Sequence, residues 1–192
     1  MNLLPTRSAS HDPTAWAPTR VLLLPGWHGS GPTHWQSRWE ALHGHRRVEQ
    51  DDWVWPRRGD WMARLDEVLL EADTPAVLVA HSLGCHLVAA WAAHSQHTAR
   101  VHAALLVAPP DLQRENVPPQ LYNWRPVVRQ RLPFASLLVA SSDDALCGPT
   151  QAAALAADWG SAWCLLGALG HINSDSGLGD WDAGLELLQS LR

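Results

Sequence analysis

The chain has 192 residues, 46% hydrophobic and 17% charged, which suits one domain with a real core and excludes a disordered polymer. Fourteen Lys+Arg against nineteen Asp+Glu leave a formal charge of −5 with no basic block, so no nucleic-acid partner is expected. All 14 cationic side chains are Arg, which excludes both a Schiff-base lysine and a phosphate-loop lysine.

Residues 1–19 are rich in Pro, Thr, Ser and Ala and lack a basic stretch followed by an apolar one. They read as a loose arm rather than a signal peptide, with residues 20–192 as a single domain. The apolar run at 21–24, stopped by Pro25-Gly26, predicts a buried strand. Residues 33–42 predict a helix with Trp35, Trp39 and Leu42 on one face. A short strand is expected at 48–51, and a second helix at 61–70 with Trp61, Leu65, Val68 and Leu69 on one stripe. A buried strand at 76–80 leads into a helix at 83–93. A strand at 101–107 stops at Pro109-Pro110. A strand at 136–140, a helix at 151–159, a strand at 162–166 and a helix at 181–191 complete the order. Between the strands at 101–107 and 136–140, residues 116–131 leave room for one or two helices but not a cap domain.

Apolar strands alternating with helices predict an α/β fold. The sheet should be mostly parallel, with about five or six strands between two helical layers and little or no lid. No run reaches about 18 apolar residues, so no membrane-spanning helix is expected. Three cysteines without a CxxC pair do not form a disulfide framework, and a cytoplasmic location is expected by default. In such sheets ligands bind beyond the carboxyl ends of the strands, so chemistry should sit in the loops that follow them.

One such loop is Val79-Ala80-His81-Ser82-Leu83-Gly84. It matches the nucleophile-elbow pattern G-x-S-x-G with Ala80 in place of the first glycine. The turn demands small residues two before and two after the serine, and Ala is the next smallest. Ser82 is therefore the candidate nucleophile, against a simple role as helix cap. A serine hydroxyl needs a general base. Of the histidines after Ser82, His86, His94, His97 and His102 lie in or beside the following helix. His171 instead follows the last strand through Gly167-Ala168-Leu169-Gly170 and is the candidate base. The acid should also follow a strand. Asp143 and Asp144 follow the strand at 136–140, and spacing does not separate them; Asp111 is a third candidate. The loop Pro25-Gly26-Trp27-His28-Gly29-Ser30-Gly31 follows the first strand. In this arrangement one oxyanion-binding N–H comes from such a loop and one from the residue after the nucleophile, which are Trp27 and Leu83.

With these pieces placed, the chain resembles the small α/β-hydrolase family typified by retinoblastoma-binding protein nine. The marks are Pro25-Gly26 with Gly29-Ser30-Gly31, His34-Trp35-Gln36 with Trp39, and Asp52-Trp53 with Pro56. To these are added His81-Ser82-Leu83-Gly84-Cys85, Ser142-Asp143-Asp144 with Cys147, and Gly170-His171-Ile172-Asn173 with Ser176-Gly177. The resemblance runs from about residue 20 onward. It implies a serine hydrolase and puts the acid on Asp144. It supplies no substrate.

The expected activity is hydrolysis of a small or mid-sized carboxylic ester or thioester through an acyl-enzyme, at an open, shallow site. Amide or peptide cleavage by the same residues is the alternative, with a non-catalytic binding module as a further one. No cofactor is expected. No metal is expected either, since HExxH is absent and His43/His45 and His94/His97 lack a third ligand. The expected partner is a small-molecule substrate, and the chain a monomer or weak dimer. Trp27 adjoins the oxyanion loop and is a candidate pocket wall. Trp35, Trp39, Trp61, Trp159 and Trp163 are expected between helices and sheet, while Trp53 and Trp55 are left open. Cys85 and Cys147 are expected as buried small hydrophobes.

Overall fold

The computed structural model describes residues 20–192; the arm expected at 1–19 lies outside the described residues. The apolar runs form strands β1 (Arg20–Leu24), β3 (Ala76–His81), β4 (Val101–Val107), β5 (Ala135–Ser141) and β6 (Ala162–Leu166), with a two-residue β2 (Arg46–Arg47). All pairings are parallel, in the order β2-β1-β3-β4-β5-β6. Helices are α1 (Trp35–His43), α2 (Arg58–Leu70), α3 (Leu83–His94), α4 (Pro149–Trp159) and α5 (Asp182–Gln189).

Side chains alternate across a strand, so each central strand feeds two cores. Leu22, Leu24, Leu78 and Ala80 face one core with Leu65 and Leu69 of α2, Leu87 and Trp91 of α3, and Leu155 and Trp159 of α4. Val21, Leu23, Val77 and Val79 face the other, with Trp35 and Trp39 of α1, Leu188 of α5, and Ile172 and Trp181 from the segment that precedes α5. This is the expected α/β sandwich.

Two expectations need correction, and the β4–β5 connection fills its room with a shorter element than an α-helix. The second strand is not at 48–51 but at Arg46–Arg47, with Val48 N–H adding a bond to the Leu23 carbonyl (2.9 Å). It is an edge strand, and edge strands carry charge instead of an apolar run. The connection between β4 and β5 contains no α-helix among its residues, only a 3-10 turn at Pro119–Trp124. Pro118, Pro119, Pro126 and Pro133 remove the N–H groups an α-helix would need there. Trp163 is 39% exposed, because it lies on the edge strand β6. Trp35, Trp39, Trp61 and Trp159 are buried as expected.

The strand order reverses between β1 and β3. In open α/β sheets such a switch point, at the carboxyl ends of the strands, is where ligands bind. The loop after β1 carries Trp27, and the turn after β3 carries Ser82.

Candidate active site

Ser82 stands between β3 and α3 with φ 54° and ψ −123°, a conformation that costs a non-glycine residue about 1–3 kcal/mol. It occupies the N-cap position of α3, yet its side chain makes no cap hydrogen bond. Helix capping is therefore not what the hydroxyl does. The Ser82 N–H donates to the Val107 carbonyl (2.9 Å), tying the turn to the end of β4. Small residues are needed around it. A Cβ on Gly84 would lie 2.3 Å from the Leu24 carbonyl oxygen, and one on Gly26 would lie 2.7 Å from the Ser82 Cβ. Ala80 fits, fully buried, at the position where the motif has glycine.

Ser82 Oγ lies 2.9 Å from His171 Nε2, and His171 Nδ1 lies 2.8 Å from Asp144 Oδ2. A carboxylate only accepts, so Nδ1 carries the proton. Nε2 is then the acceptor for the Ser82 hydroxyl. The Asp144 side chain is 1% exposed, and its Oδ1 accepts from the Leu146 N–H (2.8 Å). Asp143 does other work. Its Oδ1 accepts from the Ser141 hydroxyl (2.7 Å) and the Gly170 N–H (2.8 Å). These bonds, the Ser141 bond first, hold its carboxyl below the usual range. Asp111 accepts from the Gln113 N–H and does not meet His171. The sequence left Asp143 and Asp144 open on spacing alone; geometry brings Asp144 to the imidazole.

The segment that carries His171 is fastened at successive backbone groups. Leu169 N–H donates to Ser141 Oγ (2.9 Å), and Ser176 Oγ donates to the Leu169 carbonyl (2.5 Å). The His171 carbonyl meets His81 Nε2 (3.0 Å), and the Ile172 carbonyl accepts from Trp35 Nε1 (2.8 Å). Ile172 sits at φ 48°, outside the comfortable range of a β-branched residue. It is fully buried.

The loop after β1 is held from beneath. Gln36, fully buried, accepts from the Ser30 hydroxyl (2.7 Å) and donates to the carbonyls of Leu24 (3.3 Å) and Val79 (3.0 Å). Arg47 donates to the Ser30 carbonyl (3.0 Å), and His28 N–H donates to the Trp53 carbonyl (3.0 Å). Among the described residues, the backbone N–H groups of Trp27 and Leu83 have no hydrogen-bond partner. The Trp27 indole donates to the Val54 carbonyl (2.9 Å) and stacks on His28. Trp53 packs over Gly29, while Trp55 is 56% exposed. Sequence patterns do not announce that Gln36 and Arg47 brace this loop. The run His34-Trp35-Gln36 was the one signal that pointed near them.

Cys85 and Cys147 are buried, and neither faces His171 in a hydrogen bond. Burial pushes the Cys85 thiol far up and the Cys147 thiol up to about 12. Among the described residues, no cluster of three or more His, Cys, Asp or Glu is arranged to hold a metal ion. Nor is any helix long and apolar enough to cross a membrane.

A family model described as serine hydrolase matches residues 21–190. No curated protein matches the chain. Among solved structures, the chain is similar to a protein described as a YdeN-like hydrolase from Pectobacterium atrosepticum, with 27% identity, 90% of each chain covered and a TM-score of 0.79. It is also similar to the ydeN gene product of B. subtilis, at 20% identity over 90% of this chain and 98% of that one, TM-score 0.70. The esterase RhEst1 from Rhodococcus sp. matches at 15% identity over 91% of each chain, TM-score 0.66. The last two likenesses concern the fold alone.

Proposed function

The chain belongs to the serine hydrolase family, and within it we propose that Ser82, His171 and Asp144 hydrolyse a small or mid-sized carboxylic ester or thioester. The observation that carries this reading is the unbroken path from Ser82 Oγ through His171 to Asp144, at 2.9 and 2.8 Å. The motif marks quoted above support a relation to the retinoblastoma-binding protein nine type.

His171 Nε2 takes the hydroxyl proton as Ser82 Oγ attacks the carbonyl carbon. Asp144 holds the Nδ1–H tautomer and stabilises the imidazolium that forms. The N–H groups of Trp27 and Leu83 receive the charge that develops on the carbonyl oxygen. One such donor is worth about 3–4 kcal/mol of transition-state stabilisation. His171 returns the proton to the leaving-group oxygen or sulfur as its bond to the carbonyl carbon breaks, which leaves the acyl group on Ser82 Oγ. Water, deprotonated by the same imidazole, then attacks that acyl group and releases the acid. Esters and thioesters demand less leaving-group assistance than amides. No helical cap stands between β4 and β5, which supports an open site for a small-molecule substrate.

The test is a fluorophosphonate probe, which reacts with a serine activated by its base. Wild-type protein is expected to take the label, and Ser82→Ala to take none. Label on another residue, or none on folded wild type, would overturn the assignment. A panel of short-chain esters, thioesters and amides then ranks the acyl donors.

A further inference from the structure

We infer that His81, the residue before the nucleophile, is a positioning residue that sets the place of His171 by donating a hydrogen bond to its main-chain carbonyl. The inference rests on the reading that His171 is the base for Ser82.

The alternation of β3 sends the two neighbours to opposite purposes. Ala80 packs into the core with α2, α3 and α4, while Val77 and Val79 pack into the other. His81 has the parity of Val77 and Val79, so its ring enters the layer of α1 and Ile172. Its Nε2 lies 3.0 Å from the His171 carbonyl oxygen, across 90 residues of chain. A carbonyl only accepts, so His81 carries its proton on Nε2.

The ring is boxed in. It lies edge-on to His34 (4.7 Å between centroids) and to Trp35 (6.0 Å), and 5.1 Å from the His171 ring. His81 is 5% exposed. Burial first, then the neighbouring His34 and His171, hold it well below the ordinary histidine range, so it stays a neutral donor. The tautomer of His34 agrees: its Nδ1 accepts from the Gln36 N–H (3.1 Å), leaving that ring neutral as well.

The bond falls where the chain most needs it. Gly170 (φ 56°) and Ile172 (φ 48°) flank His171 in the left-handed region. Such a segment does not hold this shape unaided. The Trp35 indole takes the next carbonyl, that of Ile172, at 2.8 Å. Two ring N–H donors thus fix two consecutive carbonyls. One of them belongs to the residue adjoining Ser82, so nucleophile and base share a single rigid mount. A misplacement of about 1 Å at such a pair costs roughly 10²-fold in rate.

Fluorophosphonate labelling kinetics separate positioning from mere stability, because they give both the number of reactive sites and the rate constant per site. His81→Leu removes the donor and keeps apolar bulk. His81→Gln keeps an N–H donor at similar reach. Expected is a full complement of sites in His81→Leu, reacting roughly 10–100-fold slower, with His81→Gln recovering most of the rate. A His81→Leu protein labelled at the wild-type rate per site overturns the inference, whether or not sites are lost to unfolding. If His81→Leu does not fold, His81→Asn replaces it. Its amide is too short to reach the His171 carbonyl, so slower labelling than His81→Gln supports the inference and equal rates overturn it. Wild type that takes no label at Ser82 overturns the underlying reading and this inference with it.

Discussion

The Ser82 hydroxyl lies 2.9 Å from His171 Nε2 although 89 residues separate them in the chain. They meet because β3 and β6 belong to one parallel sheet, whose strands deliver their following loops to a single edge. The Asp144 carboxylate reaches the same imidazole from the end of β5. Its neighbour Asp143 reaches Gly170 N–H instead. The two adjacent carboxylates therefore make a sharp comparison. Asp144→Asn is expected to lower kcat on a simple ester by about 10⁴-fold, because the amide favours the wrong imidazole tautomer. Asp143→Asn keeps an oxygen that accepts from Ser141 and Gly170, so most of the activity should survive. Steady-state kinetics on both variants decide it; equal losses would remove Asp144 from the role proposed for it.

The elbow makes a second comparison. Gly84→Ala would place a methyl 2.3 Å from the Leu24 carbonyl oxygen, a backbone atom that has nowhere to go. A loss of about 3 kcal/mol or more is expected. Ala80→Gly, which restores the glycine of the common motif, loses a buried methyl and some strand rigidity, together about 1–2 kcal/mol. For a chain of this size that lowers Tm by roughly 2–8 °C. Labelling at Ser82 should persist. Thermal melts and probe labelling of the pair check both, and an Ala80→Gly protein that folds but takes no label would show that the alanine itself shapes the turn.

Much of this was legible in sequence because it is local. Apolar runs ended by Pro or Gly marked the central strands, and small residues two on either side of Ser82 marked the elbow. His171 stood out by its place after the last strand. What stayed hidden depends on contacts the chain makes far from home. Adjacent aspartates look alike until the turn aims one inward. His81 and Trp35 gain their roles from carbonyls 90 and 137 residues away. Arg46 and Arg47 form a strand that no apolar pattern announces, and Trp163 looks like core until β6 proves to be an edge.

His34 and His86, buried like His81, predict acid sensitivity. Burial, with Arg47 and His171 after it, lowers the pKa of His34 from 6.5 to about 4, and burial likewise lowers His86 to about 4. Above 6.5 neither folded nor unfolded chain protonates them, and no stability is lost. Below it the unfolded chain takes up protons that the folded chain refuses, so stability falls as pH drops from 6.5 toward 4. Each site contributes a loss on the order of 3 kcal/mol across that window. His86 Nε2 donates to the Pro110 carbonyl at 2.8 Å, and His86→Gln keeps a donor without a titrating group. Melting temperatures measured from about pH 7 to about pH 4 should fall less steeply in His86→Gln than in wild type. Parallel curves would mean that His86 is protonated in the folded protein.

The cysteines separate a serine nucleophile from a thiol. Cys85 is fully buried and bonds weakly to the Val107 carbonyl, while Cys147 is 3% exposed with its thiol pushed up to about 12 by burial and then by Asp111 and Asp144. Neither is a thiolate near neutral pH, and the thiolate is the reactive form. Cys164 is only partly buried and so the most accessible of the three, on the edge strand β6. A disulfide reagent added to native protein should therefore titrate one thiol quickly and all three only after denaturation. Ester hydrolysis should be unchanged by that first modification, since β6 meets the site only through the loop that follows it. Activity lost in step with a fast second thiol would place Cys85 or Cys147 at the reacting centre and displace Ser82 from it.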